Sequence, residues 1–173
     1  MKGKEIVENF YEAFSKLDYA DLTRYLSADI IYHDPIFGLL EGDVVFSMWQ
    51  MKCERLKHFS FHINNFQQID DEYITCEWQA TFLNGRTGKM VTMPAKAFMR
   101  ILDGKITEHS DGYKLSHWLT VTKGWKGMLF GWTGYMKRRE QNFYRTLLNN
   151  FANDKNMFKD RGKIMHDHDV SDR

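Results

Sequence analysis

Cysteine is scarce in this sequence. Its two cysteines, Cys53 and Cys76, lie far apart and form no C-x-x-C pair. This spacing argues against a disulfide framework and against a cysteine-rich metal site. It predicts inert, buried thiols in a reducing intracellular compartment.

The chain also lacks a strong net charge and a long apolar run. Its 24 lysines and arginines balance 23 aspartates and glutamates, which leaves a net charge of +1 with both signs interspersed. This balance disfavours nucleic acid as a partner, because such binding depends on a positive field. Charged residues stand where a signal peptide needs an apolar stretch, and no stretch approaches the length of a membrane span. We therefore expect a cytoplasmic protein without stable membrane association.

Motifs for several common chemistries are missing as well. The sequence has no glycine-rich phosphate loop and no nucleophile elbow. His166 and His168 lack a third fixed ligand nearby, so no metal site is predicted. Residues 137–139 form a basic cluster, but acidic and polar residues follow it within two turns. That pattern favours a solvated helix face over a membrane-binding or partner-binding one.

Aromatic residues, in contrast, are abundant. Phenylalanine, tyrosine and tryptophan make up 15% of the 173 residues. Large rings favour thick cores or apolar cavities, and a chain of this length can bury one sizeable core. We expect a single domain over residues 1–152, including a C-terminal helix, followed by a polar tail over residues 153–173.

The first third of the chain is predicted to be mostly helical. Apolar residues recur at helical spacing in the first segment and again after a β-branched run, and a short second helix precedes that run. Pro35 ends that run, because proline lacks the amide that a strand ladder requires, so Asp34 is placed at a strand end. The predicted elements are a helix over 3–17, a helix over 20–26, a strand over 29–34, a loop over 36–42 and a helix over 45–56.

From His58 onward the apolar pattern acquires a period of two. Turn pairs such as Asn84-Gly85 and Asp103-Gly104 separate the alternating runs, which predicts an antiparallel meander. Two alanines, Ala95 and Ala97, fall on the dry face and leave room for a cavity. The predicted strands cover residues 58–69, 72–83, 89–101 and 105–115.

The last of these strands departs from a purely apolar face. His109, Asp111 and Tyr113 share one side of it, and neither side is wholly apolar. Beyond Trp118, apolar residues at helical spacing predict a C-terminal helix that packs on the domain. These residues are Met136, Phe143, Leu147 and Phe151.

This order of elements resembles the nuclear transport factor 2-like superfamily. The most specific pieces are Tyr32-His33-Asp34-Pro35, the loop from Gly38 to Gly42, and the final strand ending in EHSDGYKLSHW. Within the superfamily, the chain is similar to the SnoaL-like and ketosteroid isomerase-like branch over residues 3–118. The resemblance implies an α+β fold: a cone-shaped half-barrel of a curved, mostly antiparallel sheet packed on N-terminal helices. It also implies an apolar pocket and a homodimer, and the chain adds a C-terminal helical extension.

The resemblance also implies roles for individual residues. In isomerase-like members, an aspartate directly before a proline at the end of the first strand shuttles protons, and Asp34 matches it. Those enzymes hold the enolate with a tyrosine from the first helix and a protonated acid on the penultimate strand. The alignment places Phe10 and Ala97 at these positions, with Tyr11 adjacent to the first. Steroid isomerisation is therefore disfavoured.

Two other reactions of the superfamily can be compared in the same way. SnoaL-like polyketide cyclases use an aspartate on the final strand, which Asp111 matches, with His109 on the same face. Limonene epoxide hydrolase-like members need an arginine two residues before an aspartate on the penultimate strand, where this chain has Ala95 and Ala97. The comparison favours the cyclase-like chemistry.

We therefore predict catalytic roles for Asp111, Asp34 and His109. A carboxylate buried in an apolar cone is expected to have a raised pKa and to act as a general base next to a carbonyl group. His109 beside Asp111 would form a proton relay, and Tyr32 or Tyr113 would donate to a developing oxyanion. The predicted substrate-binding residues are Tyr32, Tyr113, Phe10, Phe14, Trp49, Trp78, Ala97 and Met99.

Structural roles stand beside these predictions. Asp34 is also suited to capping the turn at Pro35, and His109 to satisfying a hydrogen bond in the core. The sequence thus favours a cofactor-independent isomerase or cyclase acting on a small hydrophobic carbonyl compound. The alternatives are a non-catalytic protein that binds a hydrophobic ligand and a dimerising scaffold of the same fold.

Overall fold

Helices precede and interrupt the first strands of the domain. The computed structural model describes residues 3–169, with side chains described as far as residue 155. Helix α1 buries Val7, Phe10 and Phe14 against the sheet, as its three- and four-residue apolar spacing predicts. Asp18 caps the short second helix by accepting a hydrogen bond from the Asp21 amide. The elements are α1 Gly3–Ser15, α2 Tyr19–Leu22, a 3-10 turn Thr23–Tyr25 and α3 Asp43–Arg55.

One six-stranded sheet forms the other layer. Its strand order is β2-β1-β6-β5-β4-β3, and all neighbours are antiparallel except β1 and β6, which are parallel. The long-range β1–β6 pairing joins the β1–β2 hairpin to the four-stranded meander of β3 to β6. The strands are β1 Leu26–Asp34, β2 Gly38–Glu41, β3 Ser60–Gln68, β4 Tyr73–Asn84, β5 Lys89–Leu102 and β6 Lys105–Gly112. This mostly antiparallel α+β architecture confirms the predicted fold class.

The segment predicted as a loop over 36–42 contains a strand. Gly38–Glu41 pairs antiparallel with the end of β1. Gly38 and Gly42 both have positive φ, so the two glycines allow the chain to reverse tightly on each side of β2. A four-residue edge strand has too little alternation to be visible in the sequence.

A bulge explains the mixed pattern of the last strand. The register of β5 with β6 shifts between Arg100 and Ile101, so that both Ile106 and His109 face the interior. An extra residue in one strand of a ladder reverses which side chains face inward. Strand β6 ends at Gly112, so Tyr113 lies beyond the sheet and not within a strand.

Three helices follow the sheet instead of one. They are α4 Leu115–Lys123, α5 Trp125–Phe130 and α6 Gly134–Asp169. Helix α6 packs Leu148 and Phe151 into the core cluster. It also continues through residues 153–169, which were expected as a polar tail, because no proline interrupts that stretch.

Candidate functional site

Strands β1 and β6 bring the predicted acidic residues together. Tyr32 of β1 is the register partner of His109 of β6, so Asp34 and Asp111, each two residues further along, extend toward the same end of the sheet. Asp34, His109 and Asp111 are all buried. The parallel pairing therefore assembles one cluster from residues far apart in the sequence.

The Tyr32 hydroxyl links the two aspartates. Its oxygen lies 3.0 Å from Asp34 Oδ2 and 2.9 Å from Asp111 Oδ2. A hydroxyl has one hydrogen and can donate to one carboxylate at a time. Tyr32 therefore hydrogen bonds to both aspartates at once only when one of the two carboxyl groups carries a proton and donates it to the Tyr32 oxygen.

Asp111 receives further hydrogen bonds at its other oxygen. Trp78 Nε1 donates to Oδ1 at 2.8 Å, and His109 Nε2 lies 3.1 Å from the same oxygen. Burial acts to raise the pKa of Asp111, but His109, Lys52 and Trp78 together outweigh it, and the pKa lies below its ordinary value. The expectation that burial raises the pKa of this carboxylate toward neutrality is therefore wrong. Asp111 is an anion at neutral pH.

Asp34 combines a structural contact with a position at the cavity. Its Oδ1 accepts hydrogen bonds from the amides of Ile36 and Phe37 at 2.9 and 2.6 Å, which caps the turn after Pro35. Its Oδ2 faces Tyr32, and the Tyr113 hydroxyl also hydrogen bonds to the carboxylate. The two oxygens thus serve the turn and the acidic cluster separately.

His109 lies behind Asp111 among aromatic rings. Its ring stacks on Trp49 with centroids 5.7 Å apart, and its Nε2 is 3.3 Å from the Tyr11 hydroxyl. Within the described part of the chain, its Nδ1 has no hydrogen-bond partner. Nε2 therefore carries a hydrogen toward Asp111 and Nδ1 is left as an unpaired atom in the core.

Lys52 is part of the cluster and was missed by the sequence analysis. Its Nζ donates to the Tyr32 hydroxyl at 3.2 Å and lies 4.5 Å from the centre of the Trp49 ring. Its position in α3 gave a signal, since Lys52 follows Met48 and Trp49 by four and three residues, on the stripe that the helix buries. A lysine on a buried stripe is costly without a partner.

Tyr11, not Phe10, presents a hydroxyl to the site. Phe10 is fully buried and packs edge-on against Trp49 and His109. Tyr11 lines the cavity and contacts His109 with its hydroxyl. Consecutive residues of α1 point in directions about 100° apart, so a shift of one residue decides which side chain reaches the site.

The tyrosines of the site are protonated donors. Burial, followed by the charge of Asp111, raises the pKa of Tyr11 and of Tyr32 well above the ordinary value. Burial and then the charge of Asp34 do the same for Tyr113. Each phenol thus keeps its hydrogen at neutral pH and can donate it to a carbonyl oxygen.

A cavity of about 460 Å³ adjoins this cluster. Asp34, Asp111, Tyr32 and Tyr113 lie in its wall, and Lys52 lies beside them. The volume suits a small organic ligand. Other wall residues are Tyr11, Phe14, Trp49, Phe59, Phe61, Trp78, Met93, Trp118, Tyr144 and Leu147.

Four residues proposed for the site lie behind the cavity wall. His109 reaches it only through Asp111 and Tyr11, and it is itself 2% exposed. Phe10, Ala97 and Met99 are buried in the core cluster and do not line the cavity. Ala97 pairs with Asp111 across the β5–β6 ladder and faces the same way, but its single methyl group does not reach the cavity.

No group of three histidine, cysteine or acidic side chains is placed to hold a metal ion among the residues that the structure describes. The side chains of His166 and His168, weighed above as metal ligands, lie outside that description.

Comparisons with solved structures agree on the fold. A candidate polyketide cyclase from Pseudomonas putida KT2440 is 23% identical, with 70% of this chain and 98% of that one covered and a TM-score of 0.58. A protein from Catenulispora acidiphila with a ketosteroid isomerase-like fold, solved with trimethylamine, is 21% identical over 69% of this chain and 92% of that one, with a TM-score of 0.60. A protein of unknown function from Burkholderia pseudomallei K96243, described as nuclear transport factor 2-like, is 14% identical, covers 72% and 99%, and has a TM-score of 0.61. A search of curated proteins found no significant match.

The family comparison identifies the domain. The model of the SnoaL-like domain matches residues 7–109, which is more than half of the chain. The match includes Asp34, Lys52 and His109 and ends just before Asp111. The chain therefore belongs to the SnoaL-like family of the nuclear transport factor 2-like superfamily.

Proposed function

We propose that this protein moves protons on a small hydrophobic carbonyl compound, as a cofactor-independent isomerase or cyclase. The observation that carries the proposal is the Asp34–Tyr32–Asp111 chain of hydrogen bonds in the wall of an apolar cavity. Two carboxylates joined through one hydroxyl can exchange a proton without solvent. Such exchange is what enolisation and reprotonation at a second atom require.

The proton would travel through Tyr32. One carboxylate takes the proton from the carbon next to the carbonyl group, and the electron pair of that C–H bond moves onto the carbonyl oxygen as an enolate. Tyr32 passes a proton between the two aspartates, and the second carboxyl group returns one to the substrate. Because protons are returned, the enzyme ends in its starting state.

The developing oxyanion would be stabilised by donors in the same wall. Tyr11 and Tyr113 keep their hydrogens at neutral pH, and Lys52 adds a positive charge beside Tyr32. A low dielectric around these groups strengthens each interaction. Tyr11 would take the part of the first-helix tyrosine, and Lys52 would supply a second, positively charged donor, because Ala97 stands where isomerase-like members carry the acid.

A solvent-exchange experiment tests the proposal. The protein is incubated with β-tetralone, a bicyclic apolar ketone, in deuterium oxide, and loss of the proton signal next to the carbonyl group is followed by NMR. We expect faster exchange with the wild type than with buffer alone, and loss of that acceleration in Asp111→Asn and Asp34→Asn. Asp71→Asn, which changes an exposed aspartate, should retain it.

A second function, ligand binding without chemistry, is favoured by one observation. Both oxygens of Asp111 are already occupied by hydrogen bonds from the protein, from Trp78, His109 and Tyr32. A carboxylate whose two oxygens both accept hydrogen bonds from the protein can hold the pocket wall in place without taking part in a reaction. If the ketone quenches tryptophan fluorescence with saturation but does not exchange in the wild type, the binding function is supported and catalysis on this class of compound is contradicted.

A further inference from the structure

Helix α5 turns its apolar side chains toward solvent. The only buried residue of α5 is Gly127. Trp125, Met128, Leu129 and Phe130 are between 50% and 63% exposed. A surface helix of a soluble domain normally buries such residues and exposes its small or polar ones. The orientation of α5 is therefore the inverse of what internal packing would produce.

Glycines fix this orientation. A Cβ atom at Gly127 would overlap the carbonyl oxygen of Leu119 in α4, and one at Gly131 would overlap the carbonyl oxygen of Gly127. The glycine side of α5 is thus pressed directly against α4. The outward position of the large apolar residues follows from this close contact and not from loose packing.

The exposed residues continue past the end of α5. Trp132 is 71% exposed and Tyr135 is 66% exposed. None of these side chains lines the cavity, so they project outward from the protein. Exposed apolar groups of this size mark an interaction surface. We call this surface the aromatic patch and define it as Trp125, Met128, Leu129, Phe130, Trp132 and Tyr135.

Positive charge is concentrated around the aromatic patch. Residues 112–139 contain six lysines and arginines and no aspartate or glutamate, although the whole chain has a net charge of only +1. Lys126, Arg138 and Arg139 are exposed beside the patch. The six residues are Lys114, Lys123, Lys126, Lys137, Arg138 and Arg139.

The acidic residue that follows this cluster pairs with only one of the six. Glu140 is 3% exposed and turns inward, where it lies 2.8 Å from Lys123 Nζ and 3.4 Å from Arg86. From the sequence alone a solvated face is expected here, because acidic residues follow Arg139. Glu140 pairs with Lys123 and Arg86, so the exposed Lys126, Arg138 and Arg139 keep the surface around the patch positive.

From these observations we propose that the aromatic patch docks the protein on the surface of a bilayer that contains anionic lipids. Tryptophan and tyrosine have an apolar body and a polar tip, which suits the headgroup boundary, while Leu129 and Phe130 suit the acyl region below it. Flanking lysines and arginines are attracted by anionic headgroups. Among the described residues, no helix is long and apolar enough to cross a membrane, so the attachment would be peripheral.

Docking would bring the cavity close to the lipid. Trp118 and Thr122 of α4 and Tyr144 and Leu147 of α6 line the cavity, and α5 connects these two helices. An apolar ligand would then have a short route between bilayer and cavity. The docking proposal itself does not depend on the proposed catalysis.

Vesicle sedimentation tests the proposal. The purified full-length protein is mixed with phosphatidylcholine vesicles that contain or lack phosphatidylserine, at low and at high salt. We expect the wild type to sediment with the phosphatidylserine vesicles, and to do so less at high salt because screening weakens the attraction. The variant Lys126→Glu/Arg138→Glu/Arg139→Glu should lose binding by roughly a hundredfold.

Two matched controls separate the patch from general surface properties. Lys57→Glu/Lys89→Glu/Lys96→Glu makes the same change in net charge at exposed positions elsewhere. For the apolar part, Trp125→Ser/Phe130→Ser/Trp132→Ser is compared with Leu39→Ser/Ile69→Ser, which removes exposed apolar residues outside the patch. Both patch variants should bind much more weakly than the wild type, and both controls should bind as the wild type does.

Two results would overturn the proposal. One is a wild-type protein that does not sediment with phosphatidylserine vesicles at low salt. The other is a wild-type protein that does not bind vesicles but has the mass of two chains by light scattering, while the serine patch variant has the mass of one. The patch would then join two copies of the chain. Circular dichroism of each variant confirms that loss of binding is not loss of folding.

Discussion

The hydroxyl of Tyr32 and the carboxylate of Asp111 are joined by a 2.9 Å hydrogen bond between residues 79 positions apart. Tyr32 is also within 3.0 Å of Asp34 and accepts from Lys52. One hydroxyl therefore joins the two acids and a lysine of the cavity wall. The stability and charge of this cluster lead to several expectations.

Replacing Tyr32 by phenylalanine should destabilise the domain. Asp34, Asp111 and Lys52 would each lose a buried partner, and unpaired buried polar groups cost about 1–3 kcal/mol. Urea denaturation at neutral pH should show a fall of that size in the free energy of unfolding. Tyr135→Phe, at an exposed position, should change it little; equal effects for the two variants would contradict the described network.

Replacing Lys52 by methionine should raise the pKa of Asp111. The lysine charge is one of the influences that lower this pKa, and methionine keeps a similar side-chain length without the charge. We expect the Asp111 carboxyl group to titrate at a higher pH than in the wild type. Carbon NMR titration of the Asp111 carboxyl group measures it, with Lys89→Met as the control at an exposed site. An unchanged titration would show that Lys52 does not act on Asp111.

Asp111 should make the protein sensitive to acid. Its pKa is lower in the folded state than in the unfolded state, so its contribution to stability is complete above the unfolded value, about pH 4, and is lost as the pH falls through the folded value. The Asp111→Asn variant should have a lower free energy of unfolding than the wild type at neutral pH. As the pH falls below about 4, its free energy of unfolding should decrease less than that of the wild type. Urea denaturation of both proteins across this range measures the difference, and parallel curves would contradict it.

Neither cysteine should react in the folded protein. Burial raises the pKa of Cys76 to about 12 and that of Cys53 to about 11. The thiolate is the reactive form, so almost none is present at neutral or mildly alkaline pH. Ellman's reagent should label no thiol in the native state and both thiols in guanidinium chloride. Rapid labelling of native protein would place at least one thiol at the surface.

The buried Glu140 should anchor the C-terminal helices. It pairs with Lys123 of α4 and with Arg86 beside β4, and its removal leaves two cations uncompensated. Because both cations are partly exposed, we expect Glu140→Gln to lower the free energy of unfolding by about 1–3 kcal/mol, less than for a fully buried pair. Glu54→Gln breaks an exposed pair with Lys155 and should cost under about 1 kcal/mol.

The sequence by itself determined the order of the longer helices and strands up to the end of the sheet, and the faces of the long strands. Every second residue of β5 from Val91 to Ile101 is buried, as its alternation predicts. It also placed Asp34 at the end of β1, because Pro35, which lacks an amide hydrogen for the ladder, follows it directly. These features are local: they depend on backbone geometry and on neighbours within a few residues.

Only the tertiary structure decided what these residues face. The bulge in β6 turns Ile106 and His109 to the same side. The β1–β6 register pairs Tyr32 with His109, and from there the Tyr32 hydroxyl reaches Asp111. Contacts between residues 79 positions apart depend on strand register and on packing. A shift of one residue in register changes which side chains meet, and local periodicity does not encode that register. The same holds for the lowered pKa of Asp111, since its charge is set by Lys52, Trp78 and His109 from other parts of the fold.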